Sequence, residues 1–516
     1  MAGMGKKPQK VFLTIIFFVG CLLSFHKVAS PQEPVTTKES ISTQESINTQ
    51  ESITAQEPVT AQEAVNVDQN IKALEPEDAS MKWARRSLAG ASLKDGFSVP
   101  VSGSGVSGSG VSEVGDSGSG DFGAGGEDTF DLHLGGSFQV DYRYYQENSR
   151  ADNCFDIRQA RLFLSGSLNH FISYRIEYEL QGNDSQNLIE VYGEWEIIRQ
   201  NLLMSGLRIG QFKEPYGLEC QTRESALFFV ERSMGYYLTP QRDVGLMFSG
   251  SSYHEIIQYA AGLFNGDGRD GSTKGSRNDQ LEVAARLVLI PFPWSWLESL
   301  QIGGSLTQSR IDLSNVALEV KSSGMAGTSR CIFVLNQNTK FGLLQKVKER
   351  DRWALEAGWS LGPLAVQGEY LNLKYKNLES SGGNVRDADF SSWYGSALLF
   401  FTGESPVFKG GVLQPVKPKN NLDWSAGTWG GLVLATRVDH FSGDKAWIKK
   451  DAFISVEKAN AYSVALNWIM NPMLRLIIDY TYTDFSDHLR VRVNPDGKVD
   501  YIYDEHVLTT RFHIAF

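Results

Sequence analysis

Sixteen short segments in which apolar and polar residues alternate follow one another between residues 128 and 516. Clusters of Gly, Asn, Asp, Ser and Pro separate them, and helical periodicity is nearly absent. Because successive side chains of a strand point to opposite faces, each segment is predicted to be a strand with one apolar face. A soluble protein with this many strands would need several domains, and no boundary is visible. We therefore predict an all-β fold, a transmembrane antiparallel β-barrel of about 16 strands preceded by a disordered N-terminal segment.

The closing strand, HVLTTRFHIAF (506–516), places Phe512, Ile514 and Phe516 on its apolar face and Arg511 on the other. In a membrane barrel the apolar face meets lipid and the polar face lines the lumen. A terminal aromatic residue on such a strand resembles the C-terminal strand of bacterial outer-membrane barrels. The resemblance implies that Phe512, Ile514 and Phe516 form an assembly signal that the barrel-assembly machinery reads.

The region before the barrel divides into three parts by composition. Residues 1–30 are predicted to be a signal peptide, since three lysines precede an apolar run at 11–25 that is too short for a confident membrane-spanning helix. Residues 31–100 contain a six-residue repeat such as QESINT and are predicted to be a largely disordered periplasmic segment, with a partner-binding tether as the alternative. Residues 101–127 are a Gly/Ser-rich linker, and 128–516 form the barrel.

Charge and motifs exclude several classes of function. The net charge of −11 without a basic stripe argues against a nucleic-acid partner. Cys154, Cys220 and Cys331 have no metal-site spacing, and their odd number indicates no disulfide framework. Neither HExxH nor GxSxG occurs, so we predict a protein that is not an enzyme and that has neither a metal site nor a cofactor.

Six stretches occur in an order that resembles one bacterial family, the phosphate-selective porins O and P. They are FDIRQARLFLSGSL (155–168), LRIGQFKEPYGLE (207–219), FFVERS (228–233), PQRDVGLMFSG (240–250), GLFNGDG (262–268) and NDQLEVAARL (278–287). The resemblance implies an outer-membrane homotrimer, embedded in lipid, through which small hydrophilic solutes diffuse passively. It implies a preference for anions such as phosphate. The lysine-rich vestibule of phosphate-selective members is absent, because the later lysines are scattered.

A long segment follows the strand that should end near Pro215 and Gly217. This segment, 218–242, mixes charged and aromatic residues, and porins narrow their lumen with a long loop folded inward. The candidate constriction residues are Lys213, Arg223, Arg232 and Arg242. The alternative is an external loop whose charges are solvated.

Strand parity predicts a second set of lumen residues. Arg161, Arg208, Arg286 and Arg511 each lie opposite the apolar face of their strand. An arginine facing lipid would cost roughly 2–4 kcal/mol near the bilayer midplane, so each is placed in the lumen. Two roles remain open, because stacked arginines could attract oxyanions or could each pair with a lumenal carboxylate such as Glu282 or Asp439.

The sequence therefore favours a porin in the bacterial outer membrane. Two alternatives remain. The first is a barrel that acts as a structural anchor or adhesin without significant conductance, and the second is a soluble secreted β-rich enzyme.

Overall fold

The computed structural model describes residues 97–98, 131–147, 149–169, 171–181, 187–200, 203–252, 255–268, 281–293, 295–311, 316–336, 338–448, 454–493 and 498–516. The signal peptide, the repeat and the linker lie outside these residues, and only Phe97–Ser98 of the segment 31–100 is described, so the boundaries of these parts stay predictions. Within the described part of the chain, no helix is both long and apolar enough to span a bilayer.

Sixteen antiparallel strands form one closed wall. Each strand pairs with the next, and β16 pairs back with β1 from Ser137–Ala515 to Tyr145–Val507. The predicted barrel is confirmed, and all sixteen alternating segments are strands. Their bounds are β1 His133–Tyr145, β2 Cys154–Asn169, β3 Ile172–Glu179, β4 Leu188–Gln200, β5 Leu203–Lys213, β6 Arg242–Ser252, β7 Ile257–Phe264, β8 Glu282–Leu289, β9 Gln301–Arg310, β10 Glu349–Leu361, β11 Leu364–Ser380, β12 Val385–Phe400, β13 Gly431–Ser442, β14 Lys458–Asn471, β15 Leu474–Val493 and β16 Val499–Ala515.

The two ends of the barrel differ in their connections. At the end where β16 finishes, which we call the turn end, only residues 362–363 join β10 to β11 and only 472–473 join β14 to β15. At the opposite end, which we call the loop end, residues 214–241 join β5 to β6 and 311–348 join β9 to β10. One long connection, 401–430 between β12 and β13, lies at the turn end.

The outer surface of the barrel is apolar. Ile209, Leu287, Leu306 and Val464 point outward and remain about half exposed. A continuous apolar band of this kind would be unfavourable in water and is the surface that a strand presents to lipid. Exposed aromatic side chains lie at both ends of the strands, where the membrane interfaces would be: Phe171, Trp195, Trp296 and Phe401 at the turn end, and Tyr144, Phe155, Tyr178, Trp393 and Tyr503 at the loop end.

Among the described residues, the connections 214–241, 311–348 and 401–430 each send a segment into the lumen. The second carries a hairpin, Leu318–Val320 with Phe333–Leu335, and Phe333 packs against wall residues that include Phe390 and Phe441. The third begins with Phe408–Lys409 paired to Val412–Leu413, and Leu413 packs with Phe228 and Phe400. Lumen-facing residues are therefore often more buried than lipid-facing ones.

Candidate pore constriction

The loop 214–241 turns inward directly after β5. Pro215 follows the strand, and Gly217 has φ 65°, a left-handed conformation in which a Cβ would collide with the carboxylate of Glu369. A four-residue helix, α1 (Leu218–Gln221), comes next. Two 3₁₀ turns, Glu224–Ala226 and Met234–Leu238, complete the loop.

The start of the loop is anchored to strands remote from β5. The Gly217 N–H donates to Ser305 Oγ of β9 at 3.1 Å. The amides of Leu218 and Glu219 donate to the two carboxylate oxygens of Glu369, on β11, at 2.7 and 3.1 Å. One carboxylate thus binds the first two amides of α1, which have no partner within the helix.

The middle of the loop reaches β13, β14 and β15. The Val230 amide donates to Asp479 at 2.9 Å, and the Met234 amide donates to Asp439 at 2.8 Å. Asn467 donates to the Phe228 carbonyl at 2.9 Å. The loop therefore crosses the lumen, and the alternative of an external loop with solvated charges is wrong.

Glu231 is the centre of a buried ion cluster in this loop. Its carboxylate accepts from Arg143 at 2.6 Å, from Arg158 at 2.9 and 3.1 Å, and from Arg511 at 3.4 Å. Burial alone would raise the pKa of Glu231, but Arg158, Arg143 and Arg511 together hold that pKa well below its usual range. Arg511 also donates to both oxygens of Asp141, at 2.7 and 2.8 Å.

The wall formed by β2 to β6 carries arginines and glutamates in contact. Arg161 pairs with Glu179 at 2.8 Å and with Glu177 at 3.3 Å. Arg208 pairs with Glu194 at 2.7 Å, and its guanidinium lies 4.4 Å from the centre of the Tyr192 ring.

Two further arginines on this wall share one carboxylate. Arg242 donates to Glu190 at 2.9 Å, and Arg175 lies 3.7 Å from the same side chain. Arg175 also pairs with Glu177 at 2.9 Å and lies 4.1 Å from the centre of the Phe163 ring. We call β2 to β6 and the charged side chains on their lumen face the mixed-charge wall.

The loop adds its own charges next to this wall. Arg232 pairs with Glu224 at 3.0 Å, and Lys213 Nζ donates to the carbonyls of Gln221 and Thr222 at 3.3 and 3.1 Å. Burial alone would raise the pKa of Glu224, but Arg232, Arg161 and Lys213 lower it below its usual range. These three cations therefore converge on one carboxylate. Burial lowers the pKa of Arg223 to about 10.

The structure divides the eight predicted pore-lining residues into groups. Arg161, Lys213, Arg232 and Arg242 lie around Glu224 and Glu190 with Arg208 nearby. Arg223 lies on the same loop. Arg511 belongs to the Glu231 cluster. Arg286 lies elsewhere, paired with Glu356 and donating to the Gly411 carbonyl at 2.8 Å.

The four wall arginines, Arg161, Arg208, Arg286 and Arg511, all pair with carboxylates, which is one of the two roles left open for them. The loop residues Arg232 and Arg242 also pair with carboxylates. The suggested partners Glu282 and Asp439 are wrong for this set. Glu282 pairs with Arg350 and, at 2.7 Å, with Arg352, whereas Asp439 holds the loop amide of Met234.

Arg158 and Arg175 contribute to the site and were missed. Arg175 could have been found by parity, since it alternates with Tyr174 and Ile176 on β3. Arg158 could not, because a β-bulge breaks the register: Gln139 faces Gln159, whereas Val140 faces Ile157. Arg158 is the extra residue, and the bulge turns it toward Glu231.

Glu214, the first residue of the loop, gives a pH-dependent prediction. Burial, Glu282 and Asp243 raise its pKa well above the usual range, so the folded protein holds this proton more tightly than the unfolded chain. Stability should therefore fall as pH rises above the unfolded value, and Glu214→Gln should remove that loss. We expect the variant to unfold at a higher temperature than the parent at pH 8, with a smaller difference at pH 5. An equal difference at both pH values would contradict the prediction.

Within the described ranges, no group of three or more His, Cys, Asp or Glu side chains is placed to hold a metal ion. Cys154, Cys220 and Cys331 are free thiols.

Comparison with known proteins gives the following matches. A family model described as phosphate-selective porin O and P matches residues 132–516, and a model of the trappin protein transglutaminase binding domain matches residues 31–63. Porin O of Pseudomonas aeruginosa is 22% identical over 376 residues, which cover 69% of this chain and 83% of that protein. The anion-selective porin from Comamonas acidovorans superposes with a TM-score of 0.45 at 12% identity, covering 75% of this chain and 99% of that chain. Salmonella typhi OmpF has a TM-score of 0.45 at 11% identity, with coverages of 75% and 98%.

Proposed function

The chain belongs to the phosphate-selective porin O and P family and is an outer-membrane porin, and we propose that small hydrophilic solutes diffuse through it passively with a modest preference for anions. We further propose that it works as a homotrimer in outer-membrane lipid, after insertion by the barrel-assembly machinery. The description of the matching family model, phosphate-selective porin O and P, supports anions as the class of solute.

The proposal rests on the position of the loop 214–241 against the mixed-charge wall. Arg143 on β1 and Arg511 on β16, which contact Glu231 of the loop, have side chains that are only 1% and 5% exposed. On the mixed-charge wall, Arg161 and Arg208 each keep 17% of the side chain exposed. Water and solutes therefore have access to cations on the β2–β6 side, where guanidinium N–H groups can contact an oxyanion.

The same wall explains why the preference should be modest. Glu177, Glu179, Glu190 and Glu194 face the lumen beside the arginines and offset most of their charge. Lys213 donates to carbonyl oxygens rather than to a carboxylate, so it adds a positive charge to this side of the lumen without a direct ion pair of its own. We propose a general preference for anions rather than selectivity for phosphate, because the later lysines are scattered along the sequence.

Reversal potentials in a salt gradient test the anion preference. We expect Arg208→Gln to lower the anion-to-cation permeability ratio by roughly tenfold, since a unit charge ~6 Å away stabilises an anion and destabilises a cation by about 0.7 kcal/mol each in water. The preference should weaken toward 1 M salt, where the screening length is about 3 Å. Lys374→Gln is the control, because Lys374 lies at the loop end, paired with Asp387 at 3.1 Å. A cation-preferring pore, or one that ignores Arg208, would contradict the proposal.

Phosphate added to a chloride solution distinguishes passage from binding. If the guanidinium groups of the mixed-charge wall hold phosphate, low phosphate concentrations should reduce the chloride conductance. An unchanged chloride current would mean that phosphate passes without a binding site.

The filled lumen favours a second candidate, a barrel that acts as an anchor with little conductance. The hairpins Leu318–Val320/Phe333–Leu335 and Phe408–Lys409/Val412–Leu413 occupy space that is open in a simple pore. Single-channel recording separates the two functions, since an anchor would give no ion-selective openings.

A further inference from the structure

The second half of the 401–430 connection leaves the lumen and lies against the outside of the barrel. It forms a hairpin, Leu422–Asp423 paired with Thr428–Trp429, which we call the outer hairpin. The indole of Trp468 donates to the Trp429 carbonyl at 2.6 Å. Trp468 is on the lipid face of β14, where it pairs across to Leu432. The outer hairpin therefore continues the lipid-facing surface at the turn end.

The outer hairpin has a fixed shape. One oxygen of Asp423 accepts from the Ser425 amide at 2.8 Å, from the Ser425 hydroxyl at 2.6 Å and from the Ala426 amide at 3.2 Å. Gly427 takes φ 68°, a conformation that favours glycine. The Thr428 hydroxyl donates to the Asn421 carbonyl at 2.6 Å. This turn presents its side chains rigidly, so ordering them on a surface costs little entropy.

The tip of the outer hairpin exposes indole rings. Trp424 is 66% exposed and Trp429 is 42% exposed, with ring centres 5.0 Å apart. Two exposed lysines, Lys417 and Lys419, precede it in the chain. Asp423 is the one acidic residue between Lys417 and Trp429, so this stretch carries a net charge of +1.

A second tryptophan pair lies at the same end of the barrel. Trp296, in the connection between β8 and β9, is 67% exposed, and its ring centre lies 5.9 Å from that of Trp359 on β10. Tryptophan concentrates at the level of lipid headgroups, and lysine beside it favours anionic lipid. Both pairs sit where an apolar strand surface gives way to a polar connection.

From this placement we propose that the outer hairpin is a lipid-binding foot in the phospholipid leaflet at the turn end. Trp424 and Trp429 enter the headgroup layer, and Lys417 and Lys419 contact the phosphate groups of anionic phospholipids. Lipid is the occupant because the outer hairpin is continuous with the lipid-facing band through Trp468. The pore lies elsewhere, so the foot and the proposed anion preference fail independently.

The depth of the outer hairpin in a lipid bilayer tests the proposal that it binds lipid. The full-length protein, with Cys154→Ser and Cys331→Ser, is spin-labelled through Ser425→Cys and reconstituted in vesicles of phosphatidylcholine, alone or with phosphatidylglycerol. Collision rates with membrane-soluble oxygen and with a water-soluble nickel complex report depth. We expect the oxygen-to-nickel ratio to exceed severalfold that of a label attached through Ser381→Cys, in the exposed connection between β11 and β12 at the loop end.

Two double variants separate the contribution of the tryptophans to membrane depth from that of the lysines. Trp424→Ala with Trp429→Ala should move the label at position 425 into water in both kinds of vesicle. Lys417→Gln with Lys419→Gln should lower the ratio only where phosphatidylglycerol is present. A label as water-exposed as the reference would overturn the proposal. A label shielded from both reagents would also overturn it, since that result indicates a second copy of the chain covering the outer hairpin.

Discussion

Replacing Glu231 with Gln is expected to turn a steady channel into one that fluctuates between conductance levels, with a higher maximum conductance. The substitution keeps the shape of the side chain but removes the charge that Arg143, Arg158 and Arg511 share. Removing one charge from a buried ion cluster costs about 3–5 kcal/mol, because Arg143 and Arg511 stay buried and are left to share the single carboxylate of Asp141. The loss destabilises the folded position of the loop, because we expect the amide bonds to Asp479 and Asp439 to be too few to fix it. Single-channel recording in planar bilayers measures the effect.

Glu349→Gln is the matched control, because Glu349 pairs with Lys376 at 3.3 Å where both side chains are partly exposed. Partly exposed pairs contribute about 0–1 kcal/mol, so the control should conduct as the parent does. A steady trace from the Glu231 variant would show that the amide bonds to Asp479 and Asp439 suffice to hold the loop.

The pH dependence of the Glu231 cluster follows from the direction in which the pKa of Glu231 changes on folding. The folded-state pKa of Glu231 lies well below the unfolded value, so its contribution is fully present above the unfolded pKa. This contribution to stability is lost only as pH falls through the lower pKa that Glu231 has in the folded state. The parent channel should therefore stay steady at pH 5, whereas the Glu231 variant should fluctuate at every pH.

The strands were predictable from the sequence because the rule that sets them is local. A residue on a strand faces either lipid or lumen, and an arginine on the lipid face is costly, so parity placed Arg161 and Arg208 correctly. Parity does not identify the partner of a charge. The contact of Arg161 with Glu179 depends on the register of β2 against β3, which pairs these two residues directly.

The filling of the lumen could not be predicted in the same way. The position of Phe333 depends on Phe390 and Phe441, which are far from it in sequence and lie on two other strands. The long connection 401–430 contains too few apolar residues in any regular pattern to indicate which half turns inward. The inward loop 214–241 was predictable because its length and its mixture of arginines with aromatic residues resemble a family feature.

Deleting Phe516 is expected to reduce the amount of folded barrel in the outer membrane by roughly an order of magnitude while export continues. The Phe516 amide donates to the Gly136 carbonyl at 3.0 Å, and its carbonyl accepts from the Gly136 amide at 2.8 Å. These two bonds extend the β16–β1 pairing that closes the barrel, and each contributes about 1 kcal/mol. The deletion also removes a side chain that is 40% exposed at the lipid boundary. Heat-modifiable migration of outer-membrane fractions on a gel measures the folded barrel.

Tyr503→Ala is the control for this deletion, because Tyr503 is an exposed aromatic residue on the same strand at the loop end. It contributes neither a closing bond nor the terminal aromatic ring, so its barrel yield should match that of the parent. A normal yield from the Phe516 deletion would contradict the assembly role of Phe512, Ile514 and Phe516. Closure would then depend on residue pairs earlier in β16, such as Arg511 with Asp141. Their guanidinium and carboxylate groups join β16 to β1.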